Sequence, residues 1–588
     1  MRAFIGGCVV LGVVFGAAWL ARGYTPSYVS TPATTNVIAW PAGATVSYRH
    51  WTGNTTATNV TGAASVQTAV DAAYASVNAA TGLNFVNAGT STTTSTGSDG
   101  VNLVTYASTA ANLAAVGGAL AVNVFYFSIP AYQITETDMV WNPAINFTTN
   151  GTTGQYDVQS VAAHEAGHGV GLDHSAVCDC TMFPNGFTGS VLPRTFERDD
   201  LAGFRHLYPT APPSASAPLG YGVVTGTVQQ APATAVPGAH VVLVDAITGR
   251  IGPSALSRSN GQFTVSGVPV GIYRIYVEPL DGPMSAANIA GSGWSGVAVN
   301  STFRTTAYGG VATPTTFAVK GGLTTAAGTI TVAGPAPTIN LLGAFPMATA
   351  TGGFSFSNGK PVEITPPYTQ WIGVAGASVN TLPDAAFTID SPFFTITGPS
   401  TQSGALGGGG GYKIFPVSVS AATPPGGYLI KATNAGETAT GVGLIHVLPP
   451  ASPQPFVQSY GASCPSVGAI ALQTINGNPT LGNLSFAAQC TGTTAGRTIA
   501  FVLGVAPDAL LTGGNFAPAA SCTVYVDLNW LLFPFPGVVF TTVGATATQP
   551  LPIANLPAYA GLEVFVQCAE IAPAGTIKLS NALLIRIQ

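Results

Sequence analysis

His164 and His168 stand four positions apart with Glu165 between them, in the run His164-Glu165-Ala166-Gly167-His168-Gly169-Val170-Gly171-Leu172-Asp173-His174. On a helix, side chains at i and i+4 leave one face about a turn apart, so two imidazoles at this spacing suit neighbouring positions on one tetrahedral Zn²⁺. Glu165 sits beside them without joining them, and its carboxylate is placed to act as general base on a metal-activated water. Gly171 tolerates a left-handed backbone, which lets the helix stop and the chain turn back to bring His174 in as third ligand. Three protein ligands leave an open position, the arrangement of a catalytic zinc site; a closed structural site has four. A lone His-Glu-x-x-His recurs by chance, whereas the eleven-residue form, with three His, one Glu and one Gly fixed, arises in roughly one in ten thousand chains of this size.

The elements that must position these residues are legible nearby. A helix is predicted to begin at the N-cap Asp157 and to run through Val158, Val161, Ala162 and His168 until Gly169 and Gly171 weaken it. An earlier helix, capped by Ser65 and stopped at Gly82, carries Val66, Val70, Ala73, Tyr74 and Val77 at helical spacing. Val46 and Tyr48 alternate with Ser47 and Arg49 as in a half-buried strand, and further strands are predicted at 101–106, 121–127 and 138–141. Together these make a mixed α/β domain ending near Pro209.

The extended motif resembles that of the metzincin metallopeptidases, and its details resemble their matrixin branch. Ser175 follows the third His, and Thr181-Met182-Phe183-Pro184 resembles the Met-turn, whose methionine lies beneath the metal against the ligand imidazoles. The approach at 155–163 and a closing helix from Glu197 to Tyr208 are also matrixin-like; the resemblance covers about residues 35–209. It implies an α/β (α+β) catalytic fold and one catalytic Zn²⁺ on His164, His168 and His174, with Glu165 as catalytic base and Met182 as support. It also implies a specificity wall within 183–194 and a substrate-pairing edge strand within 113–127.

Several features depart from that pattern. No cysteine-switch propeptide is expected between the predicted signal cleavage and Ile38. Apart from the ligands and His206, His50 is the only histidine before Pro209, so a second, structural zinc site is not expected. Calcium is a candidate cofactor through Asp99, Glu136, Asp138 and Asp157, with solvated surface carboxylates as the competing reading. Cys178 and Cys180 leave three readings open: a strained local disulfide, pairing elsewhere, or thiolates on the metal.

At 588 residues the chain exceeds one hydrophobic core and reads as multidomain. Charged residues make up only 7% and glycines number 72, which suits an extracellular β-rich chain. The net charge of −5 is spread thinly and no run of Lys or Arg offers a nucleic-acid backbone a phosphate-binding surface, so nucleic acid is not an expected partner. Met1-Arg2-Ala3-Phe4 and the apolar stretch that follows read as a secretory signal cleaved near Ala18 or Gly23, the alternative being a retained anchor. The strongest later apolar run, 530–540, is broken by Pro534 and Pro536, so no membrane span is expected in the mature chain.

The predicted organisation is a signal peptide at 1–23, a metallopeptidase domain at 24–209, a Pro/Ala/Ser linker at 210–219, and β-sandwiches at 220–330, 331–450 and 451–588. The first sandwich resembles the transthyretin-like carboxypeptidase regulatory-like module in residues 238–243, 259–263 and 267–273, and the second an immunoglobulin-like sandwich. Gly407 to Gly411 read as a mobile loop. The last sandwich holds Cys464, Cys490, Cys522 and Cys568; proximity favours Cys464 with Cys490 and Cys522 with Cys568 among three pairings. His206 reads as a cation at a helix end, and His240 and His446 as strand residues without a chemical role.

Two functions compete. One is a secreted, monomeric zinc endopeptidase acting on extracellular proteins or peptides, its β-modules offering sites for a glycan or cell-surface ligand. The other is an adhesive surface protein whose β-modules carry the main function. The intact Glu165 favours the first, because folding alone does not require an acid there.

Overall fold

The computed structural model describes residues 9–10 and 37–588, apart from 57–58, 63, 130, 210–218, 290–296, 312–313, 451–453, 466–467, 512–521, 529–530, 533–537, 542–543 and 574–575. The predicted signal, Val9–Val10 excepted, and nearly all of the predicted linker lie outside these residues. Among the described residues no helix is long and apolar enough to cross a membrane.

The N-terminal part is a mixed sheet backed by helices. Its strands are β1 (Thr45–Trp51), β2 (Asn84–Ser91), β3 (Asn102–Thr105), β4 (Ala121–Ser128) and β5 (Gln133–Trp141), in spatial order β4-β5-β3-β1-β2. Only β4 is antiparallel to its neighbour, pairing Val122 with Val140, and it lies at the edge; Val9–Val10 adds a short parallel pairing outside it. β2 is missing from the sequence expectations because its only buried residue is Phe85: an edge strand with one apolar anchor shows no alternation to read.

Four helices accompany this sheet: α1 (Val66–Thr81), α2 (Ala110–Val116), α3 (Val158–Gly169) and α4 (Arg198–Leu207). The predicted caps are in place. Ser65 accepts from the Thr68 amide and Gly82 closes α1 at φ +73°, while Asp157 accepts from the Ser160 amide and opens α3. Val70, Ala73, Tyr74 and Val77 of α1 share one core with Val158, Val161 and Ala162 of α3 and Phe204 of α4. This core fixes α3, and with it the two histidines, against the sheet.

Beyond residue 219 the chain is built of paired β-sheets. One pair faces Tyr221–Gln230, Gln262–Pro269 and Thr324–Val332 against His240–Asp245, Ile251–Leu256 and Gly271–Glu278 across Val224, Leu243, Phe263 and Ile275. A second pair is centred on Tyr368–Ala377 with Gly410–Val419, and on Gly426–Asn434 with Glu437–Val447. The glycine run is therefore not wholly a loop: Gly407–Gly409 form a short turn, but Gly410 and Gly411 open a strand that pairs with Ala377 and Gly376. A third pair sets Glu563–Ile571 and Ile577–Arg586 opposite Ala471–Ile475 and Ala487–Thr491.

The disulfide corrects the sequence expectation. Cys464 is bonded to Cys522, with Cα atoms 5.5 Å apart, whereas Cys490 and Cys568 are free thiols in hydrogen-bonding contact within the last core. Chain proximity was a poor guide because strand pairing decides which Cβ atoms meet. With its ends 58 positions apart in the chain, the crosslink is expected to stabilise this region by about 4 kcal/mol through the unfolded state. Denaturant titration of Cys464→Ser should show a loss approaching that size; an unchanged midpoint would overturn it.

Candidate metal centre

α3 brings His164 and His168 to one face, and the turn after it brings in His174. Gly171 adopts φ +98°, and a Cβ there would lie 2.2 Å from the Ile38 carbonyl oxygen, so both conformation and space call for glycine. The imidazole centroids lie 4.7 Å (His164–His168), 5.3 Å (His164–His174) and 5.0 Å (His168–His174) apart. One nitrogen from each ring lies within 4.8 Å of the others, a cluster able to hold a metal ion.

The tautomers follow from the partners. His164 Nδ1 donates to the Thr181 carbonyl at 2.7 Å and His168 Nδ1 to the Leu172 carbonyl at 2.9 Å, because a carbonyl can only accept. Both Nε2 lone pairs then face one another across 3.1 Å. Two bare lone pairs at that distance repel, but two ligands of one tetrahedral ion at about 2.0–2.1 Å stand about 3.3 Å apart. The donor set therefore fits zinc. Burial, reinforced by the neighbouring rings, lowers the pKa of His164 and His174 well below the usual histidine range, so both are neutral, as ligation requires.

Glu165 is fully buried, and neither carboxylate oxygen makes a hydrogen bond; the Asn123 amide of β4 is the donor that faces it. Burial pushes this carboxyl well above the usual carboxylate range, the direction that suits a general base at neutral pH. Met182 lies under α3: a Cβ on Gly167 would be 2.4 Å from its Sδ, so the helix touches the methionine between the two histidines.

α4 holds this turn in place, and the sequence reading assigned its acids no role. Asp200 accepts from the amides of Thr181 (2.9 Å), Met182 (3.1 Å) and Glu197 (3.0 Å). Asp199 accepts from the Ser175 hydroxyl at 2.5 Å and from the Ser254 amide at 2.6 Å, which joins the centre to the first β-module. Adjacent acids in the first turn of a helix were the available signal, but such acids also simply complement the dipole.

Other expected residues are placed differently. Asp138 and Glu136 accept backbone amides of Gly97, Leu103, Asp99 and Gly100, and Asp157 pairs with Arg194. These carboxylates are occupied by protein donors, and they form no calcium-type cluster among the described residues. Cys178 and Cys180 are free, buried thiols, pushed up by burial, so neither disulfide reading holds for them. His206 is not a helix-end cation: burial and then Arg258 lower it to about 4, and it bonds Ser266 instead. His446 pairs with Asp179 at 2.8 Å across the contact between the second β-module and the turn, a role invisible in its strand context.

The proposed wall is covered. Phe183 stacks near Phe187 and shares an apolar cluster with Leu280, Met284 and Ile289, while Lys360 and Glu363 bond Thr188 and Ser190. The backbone of Asn288 faces His174.

Residues 39–209 match the matrixin family model. This part of the chain is a matrixin-like metallopeptidase domain. The matrixin-like domain is similar to Metalloendoproteinase 1 of Glycine max, at 36% identity over 77 residues, which is 12% of this chain and 24% of that protein. It is also similar to Metalloendoproteinase 4-MMP of Arabidopsis thaliana, at 34% identity over 99 residues, covering 16% of this chain and 27% of that one. The chain thus spans about a quarter of the length of these curated relatives. Among solved structures it is similar to BcpA, the major pilin subunit of Bacillus cereus, at 14% identity and a TM-score of 0.13 over 63% of this chain and 95% of that one. At that score the likeness carries no argument about function.

Proposed function

We propose that the chain is a secreted zinc endopeptidase that hydrolyses internal peptide bonds of extracellular proteins. The observation that carries this reading is the pair of Nε2 atoms 3.1 Å apart, each fixed by a carbonyl behind it, beside a buried carboxylate without a hydrogen-bond partner. A zinc ion on His164, His168 and His174 would supply Lewis acidity to the scissile carbonyl and to water. Glu165 takes a proton from that water as its oxygen attacks the carbonyl carbon. As the C–N bond breaks, Glu165 returns the proton to the leaving nitrogen. Neutral imidazoles keep the site open to a cation, and β4, whose outer edge pairs with Val9–Val10 at Val124 and Phe125, would offer its backbone to an extended substrate once that part of the predicted signal is removed.

Zinc content near one per chain is expected by metal analysis. Treatment with a strong chelator should abolish hydrolysis of a casein-type substrate, and one equivalent of zinc should restore it. Hydrolysis that persists in metal-free protein would overturn the proposal.

A further inference from the structure

A cavity of about 410 Å³ lies where α4, the first β-module and the C-terminal sheets meet, with none of the three clustered histidines in its lining. That volume lies within the roughly 300–1,000 Å³ of small-molecule sites. Three guanidinium groups line it: Arg198 at the start of α4, Arg250 before Ile251–Leu256, and Arg586 near the C-terminus. Arg586 is matched by Glu563 at 2.5 Å. Arg198 and Arg250 are not matched.

Among the described residues Arg198 has no hydrogen bond or ion pair, and its Nη1 is buried without a partner. Arg250 donates Nη1 to the Pro425 carbonyl, while its Nε is buried without a partner. The two cations are close enough to repel, and burial followed by that repulsion lowers the pKa of Arg198. The nearby acids offset them only in part: Asp245 attracts Arg198 but spends one oxygen on the amides of Ile247 and Thr248, and Glu197, raised by burial to about 7, attracts both arginines without forming an ion pair with either. Both side chains are half-buried, and a guanidinium nitrogen withdrawn from water normally finds an anionic or carbonyl partner, because leaving it dry is costly.

We infer that this cavity binds a small oxyanion, the phosphate, sulfate or carboxylate group of a ligand, between Arg198 and Arg250. The guanidinium fork matches such groups with paired hydrogen bonds, and Ile247, Leu562 and Phe565 give the cavity apolar wall for the rest of the ligand. Because the lining comes from the matrixin-like domain, the first β-module and the C-terminal sheets, an occupant would tie all three together.

The test uses the full chain with inorganic phosphate, sulfate and glucuronate as probes, each against chloride at equal ionic strength, by calorimetry and thermal melting. Saturable binding with a rise of several degrees in melting temperature is expected for at least one probe. A response to phosphate or sulfate alone identifies a free inorganic ion; tighter binding of glucuronate identifies an acidic sugar. Arg198→Gln and Arg250→Gln should each weaken binding at least about tenfold. Arg586→Gln, whose partner is Glu563, should weaken it less. If Arg198→Gln fails to fold, Arg250→Gln gives the same reading from another element. Melting curves that match chloride for every probe, or undiminished binding in the Arg250→Gln protein, would overturn the inference.

Discussion

Glu165→Ala should retain zinc and melt at or above the wild-type temperature while losing activity by about 10²–10⁴-fold or more. The carboxylate is fully buried and faces no donor but the Asn123 amide, which falls outside good hydrogen-bond geometry, so its removal costs the fold little and relieves a desolvated acid. The imidazoles keep their carbonyl partners, Thr181 and Leu172, so the donor set survives. Only the proton relay disappears. Casein hydrolysis with metal analysis on the same sample separates the two effects: equal cleavage by both proteins would defeat the peptidase reading, and lost zinc would show that Glu165 serves the ligand set instead.

Asp200→Ala should be the more damaging change to the structure. One carboxylate there satisfies three amides, those of Thr181, Met182 and Glu197. Without it three buried or half-buried donors lose their acceptor, at roughly 1–3 kcal/mol for each one left dry. The damage reaches the ligands through the Thr181 carbonyl, which orients His164. Loss of such an outer partner typically costs 10–100-fold in metal affinity. Competition with a chelating dye should show weaker zinc binding by about that factor together with a lower melting temperature. Asp200→Asn, which retains one acceptor oxygen, should recover part of both. Zinc affinity equal to wild type in Asp200→Ala would show that the Met-turn stands without α4.

The covering of the wall bears on both measurements. Leu280, Met284 and Ile289 pack in the cluster of Phe183, and Asn288 faces His174, so a polypeptide reaches this side of the centre only if residues 279–289 move. Activity on a short peptide and on a folded protein should therefore be compared for every variant.

What the amino-acid sequence determined by itself is the local part of the centre. Four-residue spacing, a helix cap at Asp157 and a glycine at 171 are short-range facts, and helical geometry converts them directly into two aligned imidazoles and a returning chain. The helix α1 was legible for the same reason, since its apolar residues recur at one period. Tertiary structure alone decided the rest. Asp200 meets Met182 across 18 positions, His446 meets Asp179 across 267, Cys464 chose Cys522 over Cys490, and Arg198 came within repelling distance of Arg250. None of these pairings leaves a period in the chain. They arise from how separately formed sheets and helices pack, and packing depends on surfaces that no single segment contains.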